Sequence, residues 1–178
     1  MPTVTKPTDI IQIGHPILWQ TAQSVAEPAG TQTHQLIETL LSTVDRAQGV
    51  GIAAPQIAQP YRVFVVEPRP NERYPDAPAM EPVTMLNPRI VGTTSTTEPG
   101  WEGCLSVPGL RGWVPRAREI EVAYTDRAGR EQAQTLTGFI ARIFQHELDH
   151  LNGLLFLDRV ESTHALYAET EYRKRIAG

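Results

Sequence analysis

Apolar residues recur at helical spacing in two segments, residues 33–48 and 138–151. Thr33 is a suitable N-cap for the first helix, and Gly49 lies where helices commonly end. Gly153 is an equivalent stop signal after the second helix. The apolar stripes are Leu36, Ile37, Leu40, Leu41 and Val44 in the first segment, and Ile140, Phe144, Leu148 and Leu151 in the second. We therefore expect two amphipathic helices, and a third over residues 163–175.

Residues 61–67 are rich in β-branched and aromatic side chains and predict a strand, and residues 83–91 and 119–125 predict two more. Residues 131–137 alternate weakly and predict a fourth. The turn signal at residues 126–130 predicts that the last two pair as a hairpin. The glycine-rich residues 49–56 suit neither a helix nor an ordinary core strand, and the proline-rich residues 68–82 are expected to form a surface loop. Strands in one block predict an α+β fold: antiparallel strands around a central helix that starts at Gly138, with one further helix in the N-terminal half and one at the C-terminus.

Composition narrows the class of protein. The 178 residues, 40% hydrophobic and 20% charged, are expected to form one globular domain over 1–178. A net charge of -4 argues against a DNA-binding protein. The one cysteine, Cys104, fits a reducing compartment, and no apolar run approaches the length of a membrane helix. Because residues 1–10 also resemble no targeting peptide, we expect a cytoplasmic protein, and a monomer.

The predicted second helix carries the sequence QHELDH at residues 145–150, which contains the motif H-E-x-x-H. His146 and His150 are four residues apart, so both rings project from one face of the helix, as two ligands of one metal must. Glu147 is offset by one residue, in the position of a general base that acts on a metal-activated water. The alternative interpretation is a solvated polar turn of helix.

A catalytic metal site needs a third protein ligand and one open position. Where metzincins place a third histidine, this chain has Phe156. Where thermolysin-like enzymes use a glutamate, it has Leu166, with Glu169 and Glu171 close by, so a zinc endopeptidase remains an alternative. Cys104 is the other candidate ligand, although a lone cysteine is more often a small buried hydrophobe.

Three segments together resemble the peptide deformylase family: GVGIAAPQ at residues 49–56, EGCLS at 102–106 and QHELDH at 145–150. Their order agrees with that of the family, and the similarity extends over roughly residues 10–160. The resemblance implies that Cys104, His146 and His150 hold one divalent ion. Iron(II) is the first expectation, with zinc, nickel or cobalt as alternatives. It also implies that the protein removes formate from the N-terminal formyl-methionine of new polypeptides.

The resemblance further implies a role for individual residues. Glu147 would act as general base, and the Gln56 side chain and the Leu105 backbone N–H would bind the oxyanion. Val50, Phe139 and Ile143 would line the methionine pocket, and Arg111 would lie near the substrate entrance. Independently of the family, the backbone around Gly51 is open enough to accept the substrate as an added strand.

A third hypothesis is a structural metal site, or an inactive relative that acts as a binding module. Glu147 and Gln56 argue against it, because a structural site needs neither a base nor an oxyanion donor. The expected partners are formyl-methionyl nascent peptides. The basic residues 173–175 have two interpretations, a transient contact with the ribosome and, more simply, a solvated helix end.

Overall fold

The structure is a computed structural model that describes residues 8–177. The expectation about a targeting peptide rests largely on residues 1–7, which lie outside the described residues. Three α-helices are present in this part of the chain: α1 (Thr31–Arg46), α2 (Gly138–Leu151) and α3 (Glu169–Ala177). None of the helices within residues 8–177 has the length and apolar character needed to cross a membrane.

Eight strands form two antiparallel sheets. The strands are β1 (Gly51–Ala53), β2 (Val63–Val66), β3 (Val83–Thr93), β4 (Thr97–Cys104), β5 (Val107–Ala117), β6 (Glu119–Thr125), β7 (Glu131–Thr137) and β8 (Leu166–Ala168). One sheet has the order β1-β2-β3-β6-β7 and the other β4-β5-β8. Helix α2 contacts strands of both sheets. The predicted α+β class, with antiparallel strands around a central helix, is confirmed.

Strand β2 is buried on both faces, which explains its run of four apolar residues. Phe64 packs with the residues of α2 and meets Phe144 edge to face, with 5.2 Å between the ring centroids. On the opposite face, Val63 and Val65 pack against Ile37 and neighbouring residues of α1. Helix α1 therefore supports one side of this sheet, and α2, with the H-E-x-x-H motif, lies on the other.

The limits of α1 differ from the prediction. The helix begins at Thr31, and its N-cap is Gly30, not Thr33. The Thr33 hydroxyl donates instead to the Glu27 carbonyl oxygen, at 2.7 Å. Because the helix begins two residues before Thr33, Thr33 already has helical backbone and cannot be the N-cap.

The C-terminal prediction was wrong in part. The expected helix over residues 163–175 divides into a 3-10 turn (Thr163–Ala165), strand β8 and α3. Strand β8 pairs with β5, so tertiary pairing outweighs local helix propensity here. Strands β4 and β5 were not predicted either, because prolines and glycines, such as Pro99 and Gly100, interrupt their apolar pattern.

Candidate metal centre

Three side chains with metal-ligating atoms converge between β4 and α2. Cys104 ends β4, and His146 and His150 are one turn apart on α2. Their ligand atoms all lie within 4.8 Å of one another, and Cys104 Sγ is 3.2 Å from His150 Nε2. The spacing of the two histidines on α2 and the position of Cys104 at the end of β4 thus bring one thiol and two imidazoles together.

The charges in this cluster suit a cation. Burial alone would raise the pKa of the Cys104 thiol, but His150 and His146 beside it hold that pKa well below its usual value. The thiolate is the form that binds metal. The buried His150 Nδ1 has no hydrogen-bond partner among the described residues. Two imidazoles and a thiolate are ligands for Fe(II), Zn, Ni or Co, so the residues fit a divalent ion.

A buried carboxylate fixes the orientation of His146. Glu102 Oε2 lies 2.9 Å from His146 Nδ1, which leaves Nε2 to face the cluster. Burial would raise the pKa of Glu102, but the Arg116 guanidinium and His146 hold it well below its usual value. Arg116 donates from Nε and from one terminal nitrogen to the two oxygens of Glu102, both at 2.9 Å.

The ion pairs continue beyond Glu102. Arg116 also donates to Asp149 at 2.6 Å, and Asp149 accepts from Arg159 at 2.6 Å. Arg142 adds a third donor to Glu102, at 2.9 Å. Asp149 thus pairs with two arginines and not with a histidine ring.

Glu147 points into the same space. Its side chain is 4% exposed, and its Oε2 accepts no hydrogen bond from the described residues. Burial raises its pKa to about 7, against the opposing effect of His146. A Cβ atom at Gly51 would lie only 2.7 Å from Glu147 Oε1, so only glycine lets β1 come this close to the carboxylate.

Gln56 approaches the cluster from the other side. It belongs to the 3-10 turn that follows β1, and the Ala53 N–H donates to its Oε1 at 2.9 Å. This contact turns Nε2 towards Cys104 Sγ, at 3.5 Å, and Ser106 Oγ, at 3.2 Å. The amide is therefore oriented as a donor beside the metal ligands.

A cavity of about 500 Å³, including the solvent at its mouth, opens onto these groups. Nine of the residues singled out from the sequence line it: Val50, Gly51, Gln56, Cys104, Leu105, Phe139, Ile143, His146 and Glu147. Sequence reasoning missed Tyr74, Trp101 and Arg142, which also line it. Tyr74 comes from the proline-rich segment, packs on Phe139 with 5.4 Å between the ring centroids, and accepts from the Gly103 N–H at 3.3 Å. No sequence motif marked that contact.

The cavity lies beside two sheet edges. Strand β1 is the outer strand of the five-stranded sheet, and β4 is the outer strand of the three-stranded sheet. Both contribute to the cavity wall, through Gly51 and Gly103 among others. An extended chain can therefore enter between the two sheets as an added strand.

Arg111 is not among the residues that line this cavity. Its side chain is 1% exposed and lies behind Gly103, between the rings of Tyr74 and Tyr172. Its Nε donates to Glu169 of α3 at 2.7 Å. In this structure Arg111 anchors the C-terminal helix rather than facing the substrate entrance.

Replacing Glu169 with Gln is expected to lower the free energy of unfolding by about 2 kcal/mol at pH 7, because Arg111 then keeps a buried charge without a counterion. Arg111 donates to Glu169 and holds its pKa below its usual value. The stabilisation is therefore complete above the unfolded pKa of about 4.3 and is lost as the pH falls through the lower folded pKa. Urea unfolding of wild type and variant between pH 7 and pH 3 measures this difference.

Glu171→Gln is the matched control, because Glu171 pairs with Lys174 on the same helix and both side chains are exposed. We expect it to change stability by less than about 0.5 kcal/mol. Equal losses in the two variants, or a gap that does not narrow in acid, would contradict the role given to Glu169.

The positions where metzincins and thermolysin-like enzymes carry a third ligand do not supply one here. Phe156 stacks on the His146 ring, with 6.3 Å between centroids and 17° between planes. Leu166 is in β8, and Glu169 is held by Arg111. Within residues 8–177, Cys104, His146 and His150 form the one group of three ligand-bearing side chains close enough to share an ion.

The site brings together three metal-binding side chains, a buried carboxylate and an oriented amide donor, which suits metal-dependent amide hydrolysis. Comparisons with known proteins identify the family. The family model for polypeptide deformylase matches residues 7–165. Peptide deformylase 2 of Nostoc sp. is 58% identical over 167 residues, which cover 94% of this chain and 93% of that protein. Peptide deformylase 2 of Shewanella oneidensis is 49% identical, over 88% and 86% of the two chains.

Solved structures agree. A class I type b peptide deformylase from Acinetobacter baumannii, bound to Met-Ala-Ser, has a TM-score of 0.85 at 42% identity and covers 88% of this chain and 99% of its own. A peptide deformylase from Synechococcus elongatus in complex with actinonin has a TM-score of 0.79 at 35% identity, over 93% and 84%. The chain belongs to the peptide deformylase family. It is a metallohydrolase that removes the N-terminal formyl group from nascent polypeptides.

Proposed function

We propose that Cys104, His146 and His150 hold the catalytic ion, and that this ion is iron(II), with zinc, nickel or cobalt as substitutes. The observation that carries the proposal is the convergence of these three ligands beside Glu147, whose carboxylate has a free oxygen. When bound, a divalent ion lowers the pKa of a water molecule and polarises the formyl carbonyl. An unactivated formamide needs both effects at neutral pH.

Glu147 is the proton carrier in this proposal. Its free Oε2 accepts a proton from the attacking water and returns it to the amine that leaves as the carbon–nitrogen bond breaks. Gly51 supports this arrangement, because a side chain there would displace the carboxylate.

Gln56 and Leu105 stabilise the oxyanion. The Gln56 amide is held by Ala53 and directs its Nε2 towards the metal ligands, where negative charge develops on the carbonyl oxygen. Leu105 follows Cys104 directly and lines the cavity, so its backbone N–H is the second donor that we propose. The Gln56 amide is already oriented in the absence of substrate.

The substrate binds as an added strand between β1 and β4. Val50, Phe139 and Ile143 are apolar residues of the cavity wall and would surround the methionine side chain. The relative from Acinetobacter baumannii was solved with Met-Ala-Ser bound, and that tripeptide corresponds to a deformylated product. Arg111 was expected at the entrance; we now propose that it supports this wall from behind Gly103.

Formate release from formyl-Met-Ala-Ser tests the proposal, with protein loaded anaerobically with Fe(II). Gln56→Ala is expected to lower kcat about a hundredfold with little change in metal content, because one oriented oxyanion donor is lost. Continuous detection of formate with a coupled dehydrogenase measures kcat, and elemental analysis measures the metal content. Full activity of Gln56→Ala, or no formate from the metal-loaded wild type, would refute the assignment.

We place the enzyme in the cytoplasm as a monomer. Support comes from the buried cysteine, which a reducing compartment keeps free, and from the exposed large apolar residues, which lie on separate elements except for Ile90 and Val91 of β3. A ribosome contact through α3 has weaker support, because Arg173 and Lys174 already pair with Glu169 and Glu171. The prediction of one domain over 1–178 stays a prediction. Light scattering tests the monomer.

A further inference from the structure

Residues 11–13 do not line the substrate cavity, but they contact both parts of the chain that carry the proposed oxyanion donors. The Ile11 N–H donates to the Gln56 carbonyl oxygen at 2.9 Å, and the Ile13 N–H donates to the Ser106 carbonyl oxygen at 2.8 Å. Gln56 and Ser106 are 50 residues apart in the sequence. Alternate N–H groups of one N-terminal segment therefore join the turn after β1 to the loop after β4.

Ser106 connects this segment to the Gln56 side chain. The Ser106 side chain is completely buried, and its hydroxyl accepts from Gln56 Nε2 at 3.2 Å. Its backbone N–H donates to Cys104 Sγ at 3.4 Å. Together with the two bonds of residues 11–13, the contact between Gln56 and Ser106 closes a ring of hydrogen bonds through three separate parts of the chain. The ring determines the spacing between the Gln56 amide and the backbone on which Leu105 lies.

The ring leaves one hydrogen of the Gln56 amide for the reaction. Oε1 already accepts from the Ala53 N–H at 2.9 Å, so the amide cannot rotate freely. Of the two hydrogens on Nε2, one is directed to the Ser106 hydroxyl and the other faces Cys104 Sγ, 3.5 Å from Nε2. The second hydrogen is thus on the side of the metal ligands, where the carbonyl oxygen of the substrate becomes negative.

We propose that residues 11–13 are a positioning segment of the oxyanion site. They hold Ser106, and through it the Gln56 amide, at the spacing from the Leu105 N–H at which both donors reach one carbonyl oxygen. The inference rests on the proposed function and deepens it. A donor stabilises the oxyanion fully only when it is oriented beforehand, so a loosened segment lowers kcat. KM changes little, because the oxyanion forms only as the reaction proceeds.

Ile13 lies at a position where proline fits the local backbone. The His15 N–H donates to the Gln12 carbonyl oxygen at 3.1 Å and closes a turn with Ile13 and Gly14 at its centre. Gly14 has a φ of +104°, and Ile13 is not among the described residues with positive φ. This is the pattern of a type II turn, in which proline is common at the first central residue. Ile13→Pro therefore keeps the turn, but it removes the N–H and places a ring where Ser106 was bonded.

For the metal-loaded, full-length protein, Ile13→Pro is expected to lower kcat with formyl-Met-Ala-Ser about tenfold, a part of what complete loss of the Gln56 donor costs. KM and metal content are expected to stay within about twofold of the wild type. Ile13→Ala is the matched control, because it keeps the N–H and shortens a side chain that is 45% exposed. It should retain kcat within about twofold. Full kcat in Ile13→Pro, or equal losses in the two variants, overturns the proposal.

The same substitution in a Gln56→Ala background distinguishes positioning from a general loss of structure. There Ile13→Pro is expected to cost at most about threefold, because the amide that the segment positions is already absent. A tenfold loss in both backgrounds overturns the proposal. If Ile13→Pro does not fold, an ester at residue 13, introduced with the α-hydroxy analogue of isoleucine, removes the same N–H without the ring and must give the same pair of losses. No formate from the wild type, or full activity of Gln56→Ala alone, would instead overturn the proposed function.

Discussion

Glu147→Gln is expected to lower kcat for formate release about a thousandfold while the protein keeps its metal. The amide cannot accept the proton of the attacking water, and the other groups of the site do not replace it. Gln56 is oriented as a donor, and Glu102 is engaged by Arg116, Arg142 and His146. Among the described residues that line this cavity, Glu147 is the buried carboxylate with an oxygen that has no hydrogen-bond partner.

The fold does not depend on the Glu147 carboxylate, so we do not expect Glu147→Gln to lose activity through unfolding. Its Oε2 makes no hydrogen bond with the described residues, and a neutral amide of the same shape removes the cost of a buried charge. We therefore expect an unchanged or slightly higher melting temperature and one bound ion per chain. Formate release above about a tenth of the wild-type rate, at full metal content, would remove Glu147 from the role of base.

The metal ligands were predictable because short-range geometry determines two of them. His146 and His150 are four residues apart, and any helix places such a pair on one face. Glu147 follows from the same helix. Cys104 was less certain from the residues alone, since its approach to the histidines depends on how β4 meets α2, and neither β4 nor β5 was predicted as a strand.

The groups that orient the ligands were harder to predict. Glu102, Arg116 and Asp149 are separated by 14 and 33 residues, and no spacing rule connects them. Their pairing depends on the register of β4 against β5 and on the placement of both strands against α2. Such ion pairs become visible only when the tertiary structure is known.

The C-terminal segment shows most clearly where prediction from the local sequence pattern fails. Residues 163–175 have helical composition, but Leu166 to Ala168 pair with β5 and so divide the segment. That division positions Glu169 over Arg111 and Tyr167 against Trp101. The burial of Arg111 and the contact of Tyr167 with Trp101 both follow from three residues of strand, which is too short a segment for a pattern to reveal.

Cys104→Ala is expected to abolish metal binding at micromolar ion concentrations and formate release with it. Two histidines remain, and a catalytic site of this kind holds its ion through three protein ligands. The thiolate also supplies the negative charge of the cluster, because Cys104 is the ligand whose pKa is held well below its usual value by the neighbouring histidines. Elemental analysis after dialysis, together with the formate assay, measures both losses.

Cys104→Ser distinguishes the loss of the metal ligand from the loss of side-chain packing. It keeps nearly the volume of the thiol in a site that is 3% exposed, but its hydroxyl stays protonated and binds such ions weakly. We expect it to fold like the wild type and to lose the ion like Cys104→Ala. In Co(II)-loaded protein, the thiolate-to-metal charge-transfer absorption should be present in the wild type and absent from both variants. A zinc endopeptidase that used only the two histidines and a downstream glutamate would instead retain metal and activity in both variants, so stoichiometric metal in Cys104→Ala would overturn the assignment of this ligand.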